Sequence, residues 1–269
     1  MTAITIAFAN QKGGVAKTTS TANVGAELVR KGHRVLLVDM DGQGSLTYLC
    51  GYNYESFSDG DSLPAILIPD AVKRGEGILP LPTDIGPDLL PANPTLQDLD
   101  LDLPQRSGSN HRLKTGLQPF LDDYDFVLID SGPKLGATTM NALVAADYVL
   151  VPIKANAMSL RGLMALVNSI DLIRQYEPDA DPEILGTFAT QVKDKTRKAL
   201  EATITFQKLD REHGLKYLGL IRNSVKVEEA DDSQISIRAH KKDSKPAVDY
   251  ANLTTQILKT LEQKEPAHA

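Results

Sequence analysis

The stretch Asn10-Gln11-Lys12-Gly13-Gly14-Val15-Ala16-Lys17-Thr18-Thr19 gathers two ammonium groups, two adjacent glycines and two hydroxyls. Together these groups suit an anion of high charge density. Backbone N–H groups at a helix N-terminus are unpaired and carry partial positive charge. Gly13 and Gly14 let the main chain approach a phosphate with no Cβ in the way. Val15, Ala16 and Thr19 complete the cradle. Lys17 supplies a point charge, and the Thr18 hydroxyl supplies a ligand for Mg²⁺. The strict pattern G-x-x-x-x-G-K-[ST] is not met, because Gln11 and Ala16 stand at its two glycine positions. A Gly-Gly turn leading into an N-capped helix is the plainer alternative.

Three aspartates, Asp39, Asp41 and Asp130, follow apolar runs. A carboxylate beside a phosphate chain repels it, so its presence there needs a reason. Holding Mg²⁺ through water, or orienting an attacking water, are the usual ones. Period-two geometry puts Asp39 and Asp41 on one face if the strand continues. A helix cap or an Asx turn is the alternative for both.

The elements that must position these groups can be read from hydrophobic patterning. Residues 4–9, 35–38, 124–130, 146–153, 183–190 and 215–221 are short apolar runs, which predicts six strands. Helix-like stretches lie at 17–31, 111–122, 136–146, 157–176 and 195–213. This alternation predicts an α/β fold: a doubly wound, mostly parallel sheet with helices on both faces. Ligands of such sheets bind at the carboxyl ends of the strands, where the loop at 10–19 and the three aspartates fall. Residues 51–110 are rich in Gly, Pro, Asp and Ser and read as an elaborated connection within one domain spanning 1–269. Within them, LDLDL at 99–103 alternates like a strand or forms a short helical turn.

KGGVAKTT (12–19) resembles the deviant Walker A motif of the ParA/MinD group of P-loop ATPases, whose second, signature lysine stands where Lys12 does. VLLVDMDGQGSLT (35–47) is similar to the family's VLLVDxDPQGN block, and YDFVLIDSGP (124–133) to its Walker B segment. VLVPIKANAMSLRGL (149–163), LGTFATQVKDKTR (185–197) and IRNSVKVEEA (221–230) extend the likeness. Departures are Gly42 for the usual proline, Ser131-Gly132 after Asp130, and Lys154 for a neutral residue.

The resemblance implies ATP and Mg²⁺ as cofactors. Asp41 is then the water-positioning residue, Asp130 the Walker B aspartate near Mg²⁺, and Asp39 a support for the Mg²⁺ water or for Lys17. Lys12 would reach the partner's nucleotide in an ATP-sandwich homodimer. Gln191 and Arg222 are candidates for the adenine by position alone.

Net charge is −6, yet residues 186–245 carry an excess of +4. In the partition members of the family, such a patch binds DNA without sequence preference, which needs only phosphate neutralisation. Lys195, Arg197 and Lys226 are the candidate contacts. A ParB-type adaptor, hydrolysis on partner stimulation, movement of a cargo, and a cytoplasmic, nucleoid-associated location are further implications. The single cysteine, Cys50, excludes an iron–sulfur cluster needing two cysteines per chain. The tail LTTQILKTLEQKEPAHA carries few basic residues, so a packed terminal helix is expected rather than a membrane anchor. A MinD-like membrane-associated ATPase is the alternative.

Overall fold

The computed structural model describes residues 2–69, 78–154, 157–177, 179–193, 204, 206 and 210–264. Seven parallel strands form one sheet among them: β1 (Ile4–Phe8), β2 (Val35–Met40), β3 (Asp88–Leu90), β4 (Phe126–Ser131), β5 (Tyr148–Lys154), β6 (Glu183–Val192) and β7 (Tyr217–Arg222), in the order β3-β2-β4-β1-β5-β6-β7. The six expected strands are present. The seventh, β3, lies inside the supposed connection at 51–110 and pairs with β2 at the sheet edge, Leu37 opposite Leu89.

β1, β2 and β4 are almost wholly buried, which is why they read as continuous apolar runs. Alternation sorts their side chains. Ile6, Phe8, Val35, Leu37 and Leu128 pack with Val24 and Leu28 of α1 (Lys17–Arg30). Ala7, Leu36, Val38, Val127 and Ile129 face the other layer. That layer contains α4 (Leu96–Asp102), which follows the short helices α2 (Ser45–Leu49) and α3 (Pro64–Leu67). It also contains α5 (Arg112–Leu117) and α6 (Ala137–Ala145), and α7 (Ala157–Tyr176) continues the same side. The pattern at 99–103 is thus helical. Leu99 and Leu103 are buried four residues apart, and Leu101 between them is 79% exposed.

Beyond β7 come α8 (Val225–Asp232), α9 (Ile237–Lys241) and α10 (Lys245–Lys264). The expected helix at 195–213 lies mostly outside the described residues. In α10, Tyr250, Leu253, Ile257 and Leu261 are buried in the same cluster as α1. The terminal helix is therefore a packed one, as its composition predicted, and no helix among the described residues is long and apolar enough to cross a membrane.

Candidate functional site

The loop between β1 and α1 is held from three neighbouring strands. Asn10 donates its amide to the Pro152 carbonyl on β5 at 2.8 Å and accepts the Lys12 N–H at 3.0 Å. Thr190 and Gln191, at the end of β6, donate to the carbonyls of Val15 (3.1 Å) and Gly14 (2.9 Å). On β4, Ser131 donates to the Phe8 carbonyl at 2.8 Å. Gly14 and Ala16 both adopt left-handed backbone, φ 68° and 63°. The turn at Ala16 opens α1 without any side-chain cap. The first N–H groups of a fourteen-residue helix therefore lack the usual Ser, Thr or Asp acceptor. An anion placed there would meet both the free donors and the helix dipole.

Lys17, at the first position of α1, is only 7% exposed. Burial pushes its ammonium below the ordinary lysine range, while Asp130 and Asp41 hold it up. Asp130 sits on β4, directly in register with Phe8 on one side and Asp39 on the other. It is fully buried, and neither carboxylate oxygen has a hydrogen-bond partner. Burial, and then the neighbouring Asp39, raise its carboxyl well above the usual range; nearby Thr18 and Lys17 oppose the rise.

Asp39 differs. Its Oδ2 accepts both the N–H and the hydroxyl of Thr47 at 2.7 Å, and its Oδ1 accepts the Asp41 N–H at 3.3 Å. Thr47 Oγ1 in turn accepts the Ala92 N–H at 2.9 Å. Asp39 therefore anchors α2 and the chain after β3. Both of its oxygens thus accept hydrogen bonds within the protein. Asp41 is not on the strand face with it, because β2 stops at Met40. The Asp41 carboxylate accepts the Gln43 N–H at 3.1 Å in an Asx turn and lies beside Gly132.

A cavity of about 1080 Å³ opens above these groups. Gly13 to Thr19, Asp41, Pro133, Gln191, Arg222, Asp231 and Tyr250 are among the residues lining it. Among the described residues, Lys12 is not part of that wall. Gln191 and Arg222 both line the cavity, and both side chains are engaged within the protein. The Gln191 amide is given to Gly14. The Arg222 guanidinium is clasped by Asp249 at 2.6 and 2.9 Å. Asp231 was not anticipated; it accepts the Thr19 hydroxyl at 3.0 Å, and burial raises it to about 6.

Residues 3–184 match the family model described as AAA domain. The sporulation initiation inhibitor protein Soj of Bacillus subtilis is 32% identical over 94% of this chain and 97% of its own. The chromosome-partitioning ATPase Soj of Thermus thermophilus is 32% identical over 96% of each. Among solved structures, cobyrinic acid a,c-diamide synthase from Mycobacterium smegmatis with bound ADP and magnesium superposes with a TM-score of 0.80. It is 31% identical and covers 97% of this chain and 96% of that one.

The chain belongs to the ParA/MinD group of P-loop ATPases.

Within this family frame, the residues present can be tested for a magnesium ion. Among the described residues no group of three or more His, Cys, Asp or Glu converges as a metal cage. The orphaned carboxylate of Asp130, beside the Thr18 hydroxyl, fits a hard cation that keeps waters and phosphate oxygens as its other ligands.

Of the DNA candidates, Lys195 and Arg197 lie outside the described residues. Lys226 is committed locally. Its N–H is capped by Ser224 Oγ at 3.2 Å, and its ammonium binds Glu229 at 2.6 and 2.8 Å. Arg238 pairs with the buried Glu27. Arg238 and Arg222 are thus paired with acids outside the basic segment, Glu27 and Asp249, while Lys241 and Lys242 are exposed on it.

Proposed function

We propose that this protein is an ATP-driven switch of the partition or positioning type, cycling between a monomer and an ATP-sandwich dimer. The observation that carries this reading is the uncapped N-terminus of α1, with Lys17 buried at its start and the unpartnered Asp130 beneath. In this reading the amides of Gly13 to Thr19 cradle the phosphates, and Lys17 neutralises the β/γ oxygens. Thr18 and Asp130 would hold Mg²⁺, which when bound would supply positive charge beside the phosphates. Asp41 orients the attacking water from the rim of the cavity. Lys12 does not line its own cavity, and in this reading it serves the partner's nucleotide. Gly13 and Gly14, both exposed, leave that face open for a second copy.

The ATP-bound dimer then binds DNA without sequence preference, and a ParB-type adaptor stimulates hydrolysis to segregate or distribute a cargo. Pairing two copies doubles a weak basic patch, which makes DNA binding conditional on ATP. The packing of α10 against α1 speaks against the MinD-like membrane alternative. Co-sedimentation with DNA and with anionic liposomes, each with ATP and Mg²⁺, tests the choice. ATP-dependent retention on DNA alone is expected; retention on liposomes alone refutes the DNA reading.

The likeness to the mycobacterial cobyrinic acid a,c-diamide synthase supports a second reading, amide synthesis. Release of nitrogen from glutamine by a cysteine nucleophile is not open to Cys50. It is 3% exposed, with its thiol pushed up by burial and by Asp39 and Asp130. Free ammonia would be required, so ATP turnover that rises with ammonium and a polycarboxylic acid, but not with DNA and adaptor, would favour that reading.

A further inference from the structure

Residues 51–110 do more than connect β2 to β4. The tip of the loop after β2, Asp41 to Gly44, is covered by two of their side chains. A Cβ built on Gly42 would lie 2.7 Å from Gln97 Cγ and 2.8 Å from the Gln97 backbone nitrogen, and one on Gly44 would enter the Tyr54 ring. Gln97 Nε2 also donates to the Gly42 carbonyl at 3.0 Å. Gly42 thus replaces the family's usual proline where α4 comes too close for any side chain. The loop's own bonds all involve Asp41: its Oδ1 takes the Gln43 N–H, and its carbonyl takes the Gly44 N–H at 2.9 Å.

Three residues further along α4, Asp100 grips a second loop. Its Oδ1 accepts the N–H and the hydroxyl of Thr138, at 3.0 and 2.9 Å, at the first turn of α6. A Cβ on Gly136 would collide with the same carboxylate. The loop so held, 132–136, follows Asp130 on β4 and carries Pro133 into the cavity wall. Positions i and i+3 are neighbours on one face of a helix, so Gln97 and Asp100 act from a single rigid element. Leu96 and Leu99 bury the adjoining face of the helix.

We propose that α4 is a bracket that positions Asp41 by tying the loop after β2 to the loop after β4 through Gln97 and Asp100, so that neither loop moves alone. Its kinetic part rests on the water-positioning role of Asp41. Gln97 and Asp100 are positioning residues, and displacing α4 from outside would change the hydrolysis rate without touching nucleotide.

The test uses the full-length protein with ATP and Mg²⁺ and three variants. Gln97→Met keeps the stem and loses the donor, Gln97→Lys restores a donor, and Asp100→Ala releases only the second loop. Hydrogen exchange at the Gln43 and Gly44 amides is expected to quicken in Gln97→Met and also in Asp100→Ala, and to return toward wild type in Gln97→Lys. kcat is expected to fall about tenfold in the first two with KM for ATP within about twofold, the pattern of lost transition-state positioning. Gln97 is exposed, so Gln97→Met decides the matter if Asp100→Ala does not fold. Unchanged exchange at Gln43 and Gly44 in Gln97→Met overturns the bracket. Faster exchange with unchanged kcat overturns its kinetic role, provided Asp41→Ala is inactive. A wild-type rate in Asp41→Ala overturns the reading of Asp41 instead, and the exchange data still decide the bracket.

Discussion

Asp39 and Asp130 are in-register neighbours on parallel strands, both fully buried, and only Asp39 has hydrogen-bond donors of its own. Two carboxylates this close cannot both ionise cheaply without a cation. Asp39 is pushed up to about 7, chiefly by burial, while Thr47 pulls it down.

Stability of the nucleotide-free protein should therefore depend on pH through Asp39. The unfolded carboxyl loses its proton near 4 and the folded one near 7, so folded protein binds more protons between them. Stability from this group falls as pH rises across that window. Replacing Asp39 by Asn removes the penalty and keeps an acceptor for Thr47. The melting temperature of Asp39→Asn relative to wild type should climb from pH 5 to pH 8; a flat difference would refute the assignment.

Magnesium should act through Asp130. Asp130→Asn is expected to keep ATP binding in weakened form and to lose most of the added thermal stabilisation that Mg²⁺ gives to the ATP complex. A ligand at a hundred times its Kd stabilises by about 2.7 kcal/mol, so the loss is measurable by calorimetry. Equal Mg²⁺-dependent shifts in variant and wild type would remove Asp130 from the site.

The two lysines should separate cleanly. Lys17→Ala loses ATP binding because it removes the charge inside the cavity. Lys12→Ala keeps binding but stays monomeric by light scattering in an Asp41→Ala background that blocks hydrolysis. A Lys12→Ala dimer of undiminished affinity would rule out the contact across subunits.

DNA affinity should fall with salt, with a log–log slope of about −0.9 for each phosphate neutralised. Changing Lys195 and Arg197 to Glu should weaken binding to two unrelated duplexes equally. Lys226→Ala alone should change it by less than about twofold, since its ammonium is already paired with Glu229 in a weak surface bridge. A large loss in Lys226→Ala would show that DNA breaks that pair.

The sheet and the phosphate loop were legible because their signals are local: unbroken apolar strands, and two glycines between a strand and a helix. β3 was missed because three residues at an edge carry no periodicity. The alternation of Leu99, Leu101 and Leu103 left a strand and a helical turn both open, because the exposed Leu101 breaks the helical pattern. The anchors of the loop were hidden for another reason. Gln191 is held to Gly14 across 177 residues of chain, and Arg222 is spent on Asp249, 27 residues on. Pairings across the fold leave no mark on spacing, so position at a strand end pointed to the cavity wall and not to these bonds.

The packing of α10 on α1 has a consequence for how the molecule is made. The Ser20 hydroxyl, one turn into the phosphate-loop helix, meets the Tyr250 hydroxyl at 3.2 Å across 230 residues. During synthesis α1 is therefore made well before the helix that covers one of its sides. Long-range contacts of this kind form late and slow folding. Until α10 emerges, α1 can pack on the sheet but lacks its second cover, so the helix that opens the phosphate loop gains its final support only after α10 has been made.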